Sequence, residues 1–444
     1  MEQILYICFI KMKIRLITLI IVLFFLVSCK KMPTDSNDES ENNNQIVKTY
    51  YVSPSGNDSN DGSENLPWRT IQHAIDNVKA GEKIFIKNGT YKEKIYIDKR
   101  GEEDNFILIE GEDRDKTIID GSSVERDTIF FENAEYVRFS NLKIINSQRA
   151  GIRLSYSNHI ELSDLKISNC GKWGIFTDFS DYTIIENCEV SGSKEEHGIY
   201  ISNSSDNAKI KGNRVFNNYA CGIQINADPS MGEDGISSNC TIENNIVYNN
   251  GEGGGAAINL ASVRDSRIRN NLIYNNKAGG IALWDDGQGD DWGCKNNEII
   301  HNTIYFSDYD GRWAISLKNG STGNSIYNNI LLGGGSGGFE YDESSINNLK
   351  IDYNIYYRKD SEYFINNDDR EEMRLGEWQS KGYDIHSFPK NPSDIFINIS
   401  NNDFHLKSGC SAIDKGKNTG LTYDFENDKR PQGSGYDIGC DERK

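Results

Sequence analysis

Histidine, tyrosine, carboxylate, amide and lysine side chains recur at fixed steps along the middle of this 444-residue chain. These are the types that move protons and hydrogen-bond hydroxyl groups. His197 and Tyr200 lie three residues apart, and Gln224, Asn226 and Asp228 follow one repeat later, so an acid/base pair with hydrogen-bonding support is geometrically possible. The series continues through Asn259, Trp284, Asp286 and Lys318 and is preceded by Asp178. Lys318 reads either as a base or as a surface lysine paired with Asp286, and His197 also reads as a turn histidine bonded to backbone. Two acidic stretches interrupt the repeats. One carries Asp228, Glu233 and Asp234, the other Asp285, Asp286, Asp290 and Asp291. Carboxylates such as Asp228 with Asp234, or Asp285 with Asp286, are the donors that Ca2+ takes, although charge runs of this kind also occur as solvated loops.

Two short patterns position these side chains. A small residue followed by Ile, a variable residue and an apolar one appears at Gly151, Gly174, Gly198, Gly222, Ala257, Gly280 and Ala314, with steps of 23, 24, 24, 35, 23 and 34 residues. An apolar residue, a polar residue two on and an apolar residue three further recur from Phe139/Asn141/Ile144 to Ile351/Tyr353/Tyr356. Each repeat holds strands of period two and too little apolar surface to stand alone, so neighbours must stack. The expectation is an all-β right-handed parallel β-helix of nine to eleven coils. Strand alternation turns Ile199 and Ile201 inward and Tyr200 and Ser202 outward, so outward residues of successive coils line up about 4.8 Å apart. The two long steps insert residues 228–238 and 285–293 after the same strand, and the expectation is a pair of cleft walls roughly 10 Å apart. A groove is predicted with His197, Tyr200, Asn226 and Asp228 at one end and Trp284, Asp286 and Lys318 at the other, roughly 15 to 20 Å long. Asn141, Asn187, Asn244, Asn270, Asn302 and Asn328 are expected to form a structural ladder at the left-handed turns.

Lys plus Arg number 48 against 67 Asp plus Glu, a net charge of −19 that repels phosphate backbones and argues against nucleic acid as a partner. Lys11, Lys13 and Arg15 precede an apolar run from Leu16 to Val27, which is short for a membrane span and reads as a signal peptide. Cys170, Cys188, Cys221, Cys240, Cys294, Cys410 and Cys440 lack paired spacing, which argues against a disulfide scaffold or a zinc site, although Cys410 and Cys440 could bridge the C-terminal segment. Residues 30–47 are polar and acidic and read as a flexible tether. The β-helix is expected over residues 48–360, opened by a short amphipathic helix at Thr70 to Val78, with an irregular segment and C-terminal cap over 361–444. The protein is expected to be a monomer.

Leu26, Val27, Ser28 and Cys29 resemble the lipobox of bacterial lipoproteins. That resemblance implies cleavage before Cys29, lipidation of its thiol and residence in the cell envelope, with no other membrane contact. The opening from Tyr50 with its capping helix, the coils, and the tail through Arg430, Pro431, Asp437, Gly439 and Glu442 resemble secreted right-handed β-helix proteins. That group includes polysaccharide lyases, some glycoside hydrolases and alginate epimerases. The epimerase motif Asp-Pro-His-Glu is absent, since the corresponding coil carries Phe176, Thr177, Asp178 and Phe179. The resemblance implies a polysaccharide as partner and a lyase acting by β-elimination on a uronate. Such a lyase needs the substrate carboxylate neutralised by a cation such as Ca2+ held by Asp228 and Asp234, a base (His197 or Lys318) and an acid (Tyr200). A hydrolase using paired carboxylates such as Asp178 and Asp228, an epimerase, and a surface protein that binds glycan without catalysis remain open.

Overall fold

The structure is a computed structural model that describes residues 48–307, 310–367 and 371–444. The signal peptide, the tether and Cys29 lie outside the described residues. The folded unit spans Val47–Lys444.

Short strands of alternating burial dominate, and each feeds the next sheet in turn. Three twelve-stranded sheets result. Sheet one runs from Thr49–Val52 to Lys350–Asp352, sheet two from Ile95–Ile97 to Tyr363–Asn367 and a final antiparallel strand Glu372–Arg374, and sheet three from Gly89–Tyr91 to Phe388–Pro389. Successive strands within a sheet come from successive coils and pair in parallel, as Tyr200 with Phe176 and with Gln224. This is the expected parallel β-helix, and its crossovers are right-handed because a right-twisted strand packs back onto its sheet only that way. Two of the sheets continue past residue 360.

The interior is a stack of isoleucines and related residues, with Ile175, Ile199, Ile201, Ile223, Ile225 and Ile258 at 0% exposure. The small residue of the first pattern has a steric cause. A Cβ on Gly198 would stand 2.6 Å from Val215 Cγ1 and 2.8 Å from Gly222 O, so the chain at this corner tolerates no side chain.

The asparagine ladder exists one residue later than expected. Asn141, Asn187, Asn244, Asn270 and Asn328 adopt the left-handed conformation, but the stacked amides are Asn213, Asn245, Asn271, Asn302, Asn329 and Asn354. Each passes an Nδ2 hydrogen bond to the next Oδ1 and satisfies backbone groups at the corner, as Asn271 Nδ2 does to Ile242 O. Asn302 is the one expected member that belongs to this inner stack, because His301 takes the left-handed position before it. The αL side chain turns outward, to the surface at Asn187 and under the tail at Asn270 and Asn328, whereas the residue after it faces the buried corner where backbone groups need partners.

The helix Ile71–Asn77 closes the first coils, with Thr70 as its cap. Asp58 is spent on this cap: its carboxylate accepts from Arg69 N, Thr70 N and Thr70 Oγ1. The tail packs along sheet three, where Ile395, Phe396, Phe404 and Leu406 join Leu272, Tyr274, Ile330 and Leu332 in one buried cluster, and it is held together by the fully buried pair Arg430–Glu442 at 2.8 Å. Cys410 and Cys440 are free thiols, so the bridge considered from sequence is not formed.

Candidate functional site on the second sheet

The outward faces of sheet two form the expected column. Arg153, Phe176, Tyr200, Gln224, Asn259, Ala282, Ser316 and Glu340 stand in register, and beside them Ser155, Asp178, Ser202, Asn226, Ala261 and Trp284. Inside this column the side chains sort into three groups.

The first group is aromatic and ionic. Arg153 lies over Phe130 and Phe176 at 5.1 and 5.7 Å and binds Asp178 at 2.8 Å. Asp178 is 5% exposed and also accepts from Ser155 Oγ, so its charge is already answered inside the protein. Both of its oxygens are engaged, by Arg153 and by Ser155. Trp173 stacks on Phe176 at 4.5 Å beside Tyr200.

The second group is the one with proton chemistry. His197 packs edge-on to Tyr200 at 5.1 Å. Its Nδ1 accepts from Cys221 N–H at 3.1 Å, and its Nε2 stands 3.5 Å from Glu196 Oε2. Burial pushes the imidazole down to about 4, so at neutral pH the ring is uncharged with its proton on Nε2. The lone pair that a base needs is engaged by backbone, and the ring instead presents an N–H donor. This combines the two sequence readings: a backbone-bonded histidine that also faces the column. Burial raises Tyr200 above its ordinary value, keeping the phenol protonated, and the carboxylates of Asp286 and Glu196 push the same way. Asn226 Nδ2 donates to Asp286 Oδ2 at 3.0 Å and lies 3.5 Å from the Tyr200 hydroxyl.

Asp286 therefore stands at the His197 end and not at the Lys318 end expected from sequence. It follows Trp284, whose strand is two beyond that of Asn226, roughly 10 Å along the stack. Reaching Asn226 requires the inserted segment to bend back over Ala261. Gln224 and Asn259 beneath are 4% and 8% exposed and joined by a 2.7 Å hydrogen bond, so the middle of the groove is nearly closed.

The third group lies beyond that crossing. Lys318 pairs with Glu340 at 3.5 Å instead of with Asp286, and Glu340 also accepts from Ser316 at 3.1 Å. Trp313 lies over Gly279, with a contact of 3.1 Å at the position a Cβ would take. Tyr200 and Lys318 are four strands apart, roughly 19 Å, too far to act as acid and base on one bond.

The acidic insertions do not form the expected matched walls. Asp228 caps the short helix Pro229–Met231 through Ser230 N, and Asp234 accepts from Ile236 N. Glu233 and Asp234 line a separate groove with Asp181 and Asp206 at the edge of sheet two. Asp285 is 1% exposed and is held by Gly289 N and Asn319 Nδ2. Asp228 and Asp234 belong to no group of three ligand atoms within 4.8 Å of one another; among the described residues His405, Glu426 and Asp441 form the one such group. Sequence reading assigned no role to Glu196, Trp313 or Glu340. The repeat register carries a signal for Glu340, which falls on the same column one coil after Ser316.

Comparison with known proteins agrees with this architecture. Residues 50–189 match a family model described as a Pel9A-like, right-handed β-helix region, and residues 209–304 match a model of the right-handed β-helix region. The uncharacterized protein YwoF of Bacillus subtilis is 28% identical over 353 residues, covering 73% of this chain and 72% of that protein. Pectate lyase PEL9 of Emericella nidulans is 29% identical over 117 residues, which span 23% of this chain and 28% of the lyase. The crystal structure of pectate lyase Pel9A superposes with a TM-score of 0.63 at 16% identity, over 89% of this chain and 96% of the lyase, a likeness of fold. The chain is thus a right-handed parallel β-helix protein, whose residues 50–189 are similar to the Pel9A-like β-helix region.

Proposed function

We propose that the chain is a cell-envelope polysaccharide lyase that cleaves a uronate-containing glycan by β-elimination at the His197 end of the sheet-two column. The observation that carries this reading is the linked set Tyr200, Asn226 and Asp286 beside a neutral His197 whose Nε2–H is left to donate. Eliminating across a uronate needs donors on the carboxylate, an acceptor for the adjacent proton and a proton for the leaving oxygen. In this reading Asn226 and His197 Nε2–H act as donors, the exposed Asp286 carboxylate as acceptor and the protonated Tyr200 as acid. Arg153, Phe176 and Trp173 extend the same face toward the first coils, a charged and aromatic surface of the sort that holds an acidic sugar. The pectate lyases that share the fold support the substrate class. Calcium enters as a proposal tested by chelation, and no step above is routed through it.

The test is incubation with a panel of polysaccharides, with and without chelator, following unsaturated uronate absorbance and new reducing ends together. Absorbance with reducing ends supports the lyase, and reducing ends alone replace it with a hydrolase. The engaged Nδ1 of His197 favours one second reading, a protein that binds glycan on this face without turnover, and retained binding with neither signal would select it.

A further inference from the structure

Far from the sheet-two column, three segments of the C-terminal region bring a histidine and two carboxylates to one point. His405 lies on the strand Asp403–Leu406, Glu426 on the turn that follows Asp424, and Asp441 at the end of the tail. One ligand atom from each lies within 4.8 Å of the others. Ligands 2.0–2.2 Å from a tetrahedral ion stand about 3.4 Å apart, so small side-chain adjustments would complete three corners of such a site.

The orientation of the imidazole is specific. Its Nδ1 is held by Asp403 Oδ1 at 2.6 Å, which turns Nε2 toward Glu426 Oε2 at 3.0 Å. A carboxylate that fixes the far nitrogen while the near one faces further oxygen donors is the outer support that metal-binding histidines receive. Asp441 is only 6% exposed and accepts Leu406 N on Oδ2, which leaves Oδ1 for a ligand. The neighbouring cations are turned elsewhere: Arg430 binds Glu442 and Gly439 O, and Arg443 donates to Leu406 O.

We infer that His405, Glu426 and Asp441 form a binding site for a divalent transition ion of the zinc type, with Asp403 as its positioning residue. One nitrogen and two carboxylates match zinc better than calcium, which takes six to eight oxygens. The site would tie the antiparallel hairpin Phe396–Asn398/Asp403–Leu406 to the tail that caps sheet three.

Titrating the full-length protein with Zn2+ by calorimetry, with Ca2+ and Mg2+ as controls, tests this. One ion per chain is expected, together with a raised melting temperature. Binding should weaken at least about 10-fold in His405→Ala and in Glu426→Gln, and about 10-fold to 100-fold in Asp403→Asn. Melting curves without metal report whether each variant folds, and Glu426→Gln carries the test if His405→Ala does not. Absence of Zn2+ binding at millimolar concentration, equal binding of Ca2+, or unchanged affinity in the folded variants would each overturn the site and leave an imidazolium bridging carboxylates.

Discussion

At the scale of the residue, two neighbours on one strand and its rim carry distinct expectations. Tyr200 points out of the core, and its hydroxyl meets the Asn226 amide and the Ser202 side chain on the outer face of the sheet, so Tyr200→Phe should leave thermal unfolding nearly unchanged. If Tyr200 is the acid, turnover should fall ~10²-fold to 10⁴-fold with KM little altered. Full activity in this variant, on a glycan the parent degrades, would move the centre to the Lys318/Glu340 group. His197 bears on stability as well. Its folded value lies near 4 against an ordinary 6.5, so the unfolded chain takes up the proton first. Its contribution is complete above pH 6.5 and is lost as pH falls from there through 4, a change on the order of 3 kcal/mol. Urea unfolding of the parent and of His197→Gln at pH 7 and pH 4.5 should show the parent losing more stability on acidification. Parallel losses in the two proteins would refute the assignment.

At the scale of the element, the buried amide stack sets the corner of the coils from Asn213 to Asn354. Asn271 accepts from Asn245 N and Nδ2 and donates to Ile242 O and Asn302 Oδ1. Asn271→Ala strands these groups in a dry interior, and unpaired buried polar groups cost ~1–3 kcal/mol each, so a loss of at least about 2 kcal/mol is expected by chemical denaturation. The αL asparagines behave differently. Asn187 is exposed with a φ of 55°, and Asn187→Gly should change stability by less than about 0.5 kcal/mol, since glycine adopts that conformation freely. Equal effects at the two positions would mean that the outer asparagines also carry the stack.

At the scale of the whole molecule, a solenoid needs closed ends, because a bare strand edge invites another chain. The helix Ile71–Asn77 closes one end, while the tail lying along sheet three is held together by Arg430, whose guanidinium reaches Glu442, Gly439 O and Asp437 O within the tail and Asn270 Oδ1 on the coils, with the Arg430 and Glu442 charges fully buried. Removing one partner leaves the other charge stranded, so Arg430→Ala should cost about 3–5 kcal/mol and open the tail to limited proteolysis. Protease resistance equal to the parent would show that the tail holds without the pair. Among the described residues no helix is long and apolar enough to cross a membrane. Attachment to the envelope is proposed to rest on Cys29, because Leu26 to Cys29 resemble a lipobox. A Cys29→Ser protein should partition into the soluble fraction, and full retention with membranes would count against the lipid anchor.

The solenoid was legible in the sequence because its cause is local and repeated: Ile199 and Ile201 alternate with Tyr200 and Ser202, and the same alternation returns every coil. That periodicity also determined which residues share the column, since register follows from where Gly174, Gly198 and Gly222 must sit against the next turn. The side-chain partners were not legible, because they depend on how far an insertion bends and on what else competes for a donor. Asp286 could be placed on the correct strand end, but only the folded loop decides that it reaches back to Asn226 and leaves Lys318 to Glu340. The asparagine ladder was misplaced by one residue for a related reason: period and composition identify the Asn-Asn corners, yet only the backbone's left-handed turn decides which amide faces the interior. The convergence of His405, Glu426 and Asp441 had no sequence signal at all, because three residues spread over the last forty positions meet only after the tail has packed on the coils.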